Sequence, residues 1–290
     1  MKRLLVTTTA LFTSATVAQA GGLERTTQSP AILFEDGRYF ELSFGTVSPD
    51  VTGGAAALGG ESGDMLASYS TFGVAFKSDI NETLSYAVIF DQPYGADTAY
   101  PGTFIQMGSY AFAGASAEVN SNAITGILQY NIDGGASVYG GLRAQSLQAE
   151  AQIPFLGGYS ISSNTDYQLG YMAGVAYERP EIALRVALTY HSEIEHDLEL
   201  TEASPALLAP GGPETNTNSV SMPQSLNLEF QSGVAENTLA FGSIRWVEWS
   251  ETVIDPTVYR RAMLARPLVF FEDDRITYTL GVARRLNETW

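Results

Sequence analysis

From about Tyr39 onward the chain alternates apolar and polar positions. Tyr39, Glu41 and Ser43 interleave with Phe40, Leu42 and Phe44, and Ser85, Ala87 and Ile89 interleave with Leu84, Tyr86, Val88 and Phe90. A period of two puts successive side chains on opposite faces of a β-strand, whereas an amphipathic helix repeats every 3.6 residues. The longest run extends from Ile182 to Leu200. One parity carries Ile182, Leu184, Val186, Leu188, Tyr190, Ile194, Leu198 and Leu200, interrupted by Ser192 and His196. The other carries Ala183, Arg185, Ala187, Thr189, His191, Glu193, Glu195, Asp197 and Glu199. Read as one strand, the run would rise roughly 60 Å at ~3.3 Å per residue. That exceeds a tilted membrane crossing, so its second half is expected to project beyond a bilayer.

The connections alternate too. Tight turns are expected at 79–82, 132–135, 178–181, 234–237 and 286–289, and long polar stretches bearing Gly, Pro and Ser at about 48–67, 91–117, 151–165, 201–221 and 254–274. The strands between them fall near 37–48, 68–78, 83–92, 118–131, 136–150, 166–177, 182–200, 222–233, 238–252 and 275–286, with Trp290 opening an eleventh. Short turns at one end and long loops at the other describe an antiparallel transmembrane β-barrel. Aromatic spacing agrees. Tyr177 adjoins a tight turn and Tyr167 precedes it on the same parity, about 25 Å away along the membrane normal at ~40° tilt, which is the height of a barrel's apolar band. Tyr190 lies similarly far from the turn on the next strand.

Composition sharpens this. The 290 residues include 28 Gly, 15 Tyr and 14 Phe, and charged residues make up 16%, below the ~25% of an ordinary soluble domain. The absence of cysteine excludes a disulfide-stapled module and a zinc-thiolate domain. Fifteen Lys plus Arg against 32 Asp plus Glu give a net charge of −17, which argues against nucleic acid as a partner. Lys2 and Arg3, the apolar run Leu4–Val17 and the motif Ala18-Gln19-Ala20 form a signal peptide over residues 1–20. Export through a Gram-negative envelope and residence in its outer membrane, among its lipids and lipopolysaccharide, are the corresponding expectations.

Two segments carry a family resemblance: Tyr177 through Tyr190 (YERPEIALRVALTY), and Met222-Pro223-Gln224-Ser225-Leu226-Asn227-Leu228 through Arg245-Trp246-Val247-Glu248-Trp249-Ser250. Supporting pieces are Val47-Ser48-Pro49-Asp50-Val51, Asp91-Gln92-Pro93-Tyr94-Gly95 and Tyr139-Gly140-Gly141-Leu142-Arg143. In order and content they resemble the FadL/TodX family of outer-membrane transporters for long-chain fatty acids and other hydrophobic compounds. The resemblance implies a fourteen-stranded barrel plugged by an N-terminal hatch. Ligand would be captured by the outer loops, passed to an interior pocket and released sideways at a kink in the third strand, without an energy source. No enzymatic activity, metal or cofactor is implied. Two departures stand out. Only Gly21 to about Asp36 precedes the barrel (37–290), and ten strands are present, so the C-terminus is expected to be truncated.

Chemistry-bearing residues are weighed on this layout. His191 and His196 are the only histidines, and five residues apart on one strand they would face opposite sides, which excludes a shared metal or a hydrolase site. Ser192 would face away from His191. The acidic parity Glu193, Glu195, Asp197 and Glu199 reads as a solvated strand above the membrane, or as a site for divalent cations shared with lipopolysaccharide or a lining of the vestibule. Arg185 falls within the span and on the lumen parity, where it would pair with Glu229 in the wall or meet a ligand carboxylate. Arg245 shares the lumen parity of its strand, and Trp246 and Trp249 take opposite faces, so at most one of them lines the interior. Arg185, Glu229, Arg245 and Trp246 are the candidate pathway residues. Asp91, Pro93 and Gly95 form a candidate gate bend, since proline removes a ladder donor and glycine permits a bend; an outer-loop entry is the competing reading. A structural or adhesive surface barrel and a general porin are the alternative functions.

Overall fold

The computed structural model describes residues 22–54, 61–102, 112–206, 212–263 and 265–285. The expected signal peptide at 1–20, the turn at 286–289 and Trp290 lie outside them. Along the chain the strands are β1 (Tyr39–Val47), β2 (Thr52–Gly54), β3 (Glu61–Asp64), β4 (Tyr69–Asp79), β5 (Leu84–Asp91) and β6 (Gly95–Ala99). Next come β7 (Ser116–Ile132), β8 (Ala136–Ile153), β9 (Tyr159–Ser163), β10 (Asp166–Arg179), β11 (Leu184–His191) and β12 (Ile194–Ala203). The last are β13 (Glu214–Met222), β14 (Ser225–Ala235), β15 (Thr238–Val247), β16 (Val253–Ile254), β17 (Val269–Phe270) and β18 (Arg275–Arg284), with one short helix, α1 (Thr257–Ala262).

Ten strands pair antiparallel in the order β1-β4-β5-β7-β8-β10-β11-β14-β15-β18. They occupy the ten positions that alternation marks out, and they form the barrel wall. β6, β9, β12 and β13 continue the sheet beyond it, giving fourteen strands in one antiparallel sheet. Among the described residues the edges β1 and β18 do not pair with each other, so the wall is not closed. The alternation is read directly as two faces. On β7, Val119, Ser121, Ala123, Thr125, Ile127 and Gln129 are buried, while Ile124, Leu128 and Tyr130 are exposed. The exposed face is apolar around the wall: Leu142 is 70% exposed, Leu169 74% and Leu280 82%. A contiguous surface of this kind is stable against lipid and not against water. Tyr167 and Tyr177 both stand on it.

The long outer stretches are more ordered than loop composition suggests. They contain β6, β9, β13 and α1, which build a platform above the wall around Tyr94, Leu147, Tyr159, Leu198, Leu200, Val220 and Trp249. A second cluster lies inside the wall, where Ile32 and Leu33 pack on Ala75, Ala87, Ile127, Tyr139 and Met172.

One strand assignment is corrected. The run 182–200 is not a single strand: Pro180–Ile182 form a 3-10 turn, β11 ends at His191, and β12 starts at Ile194. At the break, Ser192 takes over the ladder to β10, its N–H donating to the Tyr171 carbonyl at 2.9 Å and its Oγ accepting from the Tyr171 N–H at 3.0 Å. β12 then leaves the wall to pair with β13 and β9. Across the break the buried positions pass from odd numbers, ending at His191, to even numbers, beginning at Ile194, a shift of one residue that swaps the faces. His191 and His196 are therefore both buried on the inner side, contrary to the expectation of opposite faces.

Placing a charge on the outer face tests the lipid assignment. Leu142→Arg is expected to destabilise the folded barrel by about 2–4 kcal/mol, the cost of Arg on a lipid-facing midplane position, whereas Ser43→Arg, at an accessible position lining the inner cavity, is expected to cost much less. Denaturant titration of the vesicle-inserted protein reads both.

Candidate functional site

The residues before β1 run through the lumen. Gly22, at φ 66°, passes beneath Trp249, where a Cβ would lie 2.2 Å from the indole. Glu24 then forms an antiparallel bridge with Tyr94: the Arg25 N–H donates to the Pro93 carbonyl at 2.9 Å, and the Gly95 N–H to the Leu23 carbonyl at 2.8 Å. The segment next meets inward-facing wall residues one after another. Arg245 Nε donates to Glu24 Oε1 at 2.8 Å. Thr26 Oγ1 donates to Asp91 Oδ2 at 2.9 Å, and Arg143 holds the other oxygen of that carboxylate at 2.9 Å while also donating to Gln28. Ser29 Oγ donates to Glu229 Oε1 at 2.7 Å. The single turn Ala31–Phe34 then sets Phe34 edge-on to Tyr139 and under the Arg185 guanidinium, which sits 4.8 Å from the ring centroid. Lys77 Nζ closes the path on the Glu35 carbonyl at 2.8 Å.

Three of the four candidate pathway residues thus touch the N-terminal segment. Arg185 and Glu229 do not form an ion pair with each other among the described residues; one stacks on Phe34 and the other accepts from Ser29. Arg245 is buried against Glu24. Trp246 does not join them. It lies on the outward parity of β15, and its Nε1 donates to Asp274 Oδ2 at 3.0 Å. Trp249 instead turns inward, fully buried, with its ring 5.8 Å from Tyr94 and 4.9 Å from Phe271.

Asp91, Pro93 and Gly95 sit at an interruption within the third wall strand. β5 pairs with β7 up to Asp91, and β6 resumes pairing with β7 at Gly95. Ser121 fills the gap on that side, its hydroxyl within 2.8 Å of both the N and the O of Tyr94. On the other side the wall parts. β4 pairs with β5 only as far as Val74 opposite Phe90, and contact resumes where the Ala67 N–H donates to the Asp97 carbonyl and the Ala99 N–H to the Met65 carbonyl. Between these limits the backbone ladder is missing over a window up to roughly 23 Å long, at ~3.3 Å per residue. Gln92 crosses it, Oε1 accepting from the Phe72 N–H at 3.0 Å. Immediately behind lies a cavity of about 220 Å³ bounded by Thr26, Gln28, Gly73, Phe90, Arg143 and His191.

A second cavity of about 250 Å³ lies in the platform between Tyr100, Phe112, Phe155, Leu200, Tyr259 and Leu268. Its floor is held by Glu202, a buried carboxylate that accepts from the Tyr159 hydroxyl at 2.8 Å and from the N–H groups of Val258 and Tyr259 at 2.9 Å. Burial, with Glu202 beside it, pushes the Tyr159 phenol well up. His196 is fixed by Asp166 at 3.0 Å and Gln145 at 3.3 Å. Glu193 and the acidic parity of β12, Glu195, Asp197 and Glu199, are exposed, with Glu193 and Asp197 accepting from Ser221 and Ser219. Among the described residues no group of three His, Cys, Asp or Glu side chains is placed to hold a metal ion.

The contacts of Thr26, Gln28 and Ser29 do not follow from alternation because these residues precede the patterned strands, and for Gln92 and Ser121 alternation gives a strand but not the side-chain partner across the kink. The one local signal is compositional: a short polar run, TTQS, precedes an apolar turn.

No protein-family model and no curated protein matches the chain. Solved structures do. A toluene transporter of Ralstonia pickettii, TbuX, is 15% identical over 90% of this chain and 77% of its own, with a TM-score of 0.61. A Pseudomonas aeruginosa FadL homologue is 14% identical over 89% and 71%, with a TM-score of 0.60. The Pseudomonas putida toluene transporter TodX is 15% identical over 88% and 72%, with a TM-score of 0.57. At such identities the likeness shows the fold.

Two outcomes check this site. Arg245→Ala leaves the Glu24 carboxylate buried without its partner, a loss of about 3–5 kcal/mol where no rearrangement relieves it. Hydrogen exchange at Glu24–Gln28 is expected to accelerate, and Glu24→Gln in the same chain to restore more than half of the protection. In the platform, burial holds the His196 imidazole below its ordinary range against the opposing pull of Asp166 and Asp197. A depressed histidine binds its proton more readily when unfolded, so the stabilisation is present above about pH 6.5 and is lost as pH falls below it. Thermal unfolding between pH 7 and pH 5 is expected to show that loss, and His196→Gln to make it smaller.

Proposed function

We propose that this chain, which has the fold of the FadL and TodX channels, resides in the outer membrane and passes hydrophobic molecules passively from outside into the bilayer. The observation that carries the reading is the juxtaposition of a window in the wall with a cavity directly behind it, both bounded by a segment that fills the lumen. A water-filled porin has no use for a plug of this kind, and an adhesive barrel has no use for a side opening. Apolar solutes cross the polar lipopolysaccharide layer poorly, and a lined path from an outer cavity to the hydrocarbon replaces that crossing. In this reading the platform cavity captures ligand, the cavity beside Thr26 and Arg143 receives it, and the window at Asp91–Gly95 releases it.

Long-chain fatty acids are the first substrate candidates, on the family resemblance. One observation favours a second reading, small uncharged hydrophobes: the lumen cations Arg143 and Arg245 each already hold an internal carboxylate, Asp91 and Glu24. A fatty-acid headgroup would have to displace one of these to find its counter-charge.

Uptake into cells carrying the full-length gene, compared with a deletion, separates the cases. Labelled oleate and labelled toluene are both supplied; the deletion is expected to slow one or both, and unchanged uptake of both would count against the channel. Ala151→Trp, which fills the platform cavity, is expected to lower uptake several-fold while the barrel remains folded.

A further inference from the structure

The window has a second occupant besides Gln92. Glu24 and its neighbours bridge to Tyr94, and this carries the Arg25 side chain to the outer edge of the opening. Its guanidinium lies 4.5 Å from the Tyr69 ring centroid on the β4 side and is ion-paired with Asp97 on the β6 side. It fills the space a side chain at position 95 would take: a Cβ on Gly95 would come within 2.2 Å of the guanidinium. The Arg25 side chain is only 5% exposed although it belongs to a lumen segment. Glycine here is required by close approach, not by backbone conformation.

We propose that Arg25 bolts the window. Its side chain spans from β4 to β6 at the outer edge of the gap, next to the point where Ala67 and Asp97 resume backbone contact, and extends that junction inward with a cation–π contact and an ion pair. Because the same residue is anchored through its backbone to Pro93, the N-terminal segment cannot leave its place without drawing the bolt. Clearing the lumen therefore opens the side of the wall, whereas removing the Arg25 side chain alone opens the wall and leaves the segment in the lumen. The proposal assigns Arg25 a positioning role and rests on the reading of the window as the exit.

The chain contains no cysteine, so one reporter thiol suffices. Thr125→Cys places it on the buried inner face of β7, lining the cavity behind the window. The full chain is reconstituted in phosphatidylcholine vesicles, and pyrene-maleimide is delivered from the lipid phase. With Arg25 intact labelling is expected to be slow, and with Arg25→Ala or Arg25→Asp about tenfold faster, the scale of losing a largely desolvated cation–π contact. Combining Arg25→Asp with Asp97→Arg is expected to restore the slow rate, which also shows that the variants fold. Equal rates in all four proteins overturn the proposal. So does equal acceleration of a water-soluble maleimide, since the thiol would then be reached through the lumen. If labelling follows the expected pattern while no variant, nor deletion of the gene, changes oleate or toluene uptake, the bolt stands and the channel reading fails.

Discussion

Every backbone N–H and C=O within hydrocarbon must find a partner inside the protein, because lipid offers none. This constraint shapes the wall more than any packing contact does. Where the ladder is continuous, as along β7 and β8, backbone pairs with backbone from Ser116 opposite Gln152 to Ile132 opposite Ala136. Where it fails, a side chain stands in: Ser121 for the missing pairing at Tyr94, Gln92 for that at Phe72, Ser192 for that at Tyr171. The N-terminal segment is the largest such replacement, lending a stretch of strand to the inner side of the kink. The irregularities of the barrel are therefore local repairs whose chemistry shows where the wall departs from regular pairing.

The same economy governs the interior charges. Burying an unpaired ion is costly, and each strongly buried lumen cation has a specific answer: Asp91 for Arg143, Glu24 for Arg245, Asp97 for Arg25, Asp79 with the Glu35 carbonyl for Lys77. Two of these pairs join the wall to the N-terminal segment and two lie within the wall and its turns. Arg185 differs in resting on an aromatic face. The segment is consequently held by polar links above and by the Ile32–Leu33 contacts below, so the two ends of its path are secured by unlike forces.

Much of the wall was legible in the sequence because a half-buried strand writes its two faces into alternate positions. The ten strands, the inward course of Arg185, Glu229 and Arg245, and the outward course of Tyr167 and Tyr177 all follow from parity. The break at Ser192 was not legible, since the apolar residues keep one parity throughout 182–200 but face outward in β11 and into the platform core in β12. That change of face alone reversed the reading of His196. The platform strands were hidden by their polar, turn-rich composition, and their pairing partners are distant in sequence. Trp246 and Trp249 could be assigned to opposite faces, but a strand ending at Val247 leaves the second to be placed by the turn that follows. The bridge between Glu24 and Tyr94 carries no local signal at all.

The N-terminal segment is made first, yet its partners come late. Glu24 meets Arg245 across 221 residues and Ser29 meets Glu229 across 200. Contacts of such separation form only after a long loop has closed, and chains dominated by them fold slowly. The leading residues must therefore remain without their partners until the strands that will surround them have assembled. The order of synthesis and the order of folding run in opposite directions here, and the interior is completed by the part of the chain that has waited longest.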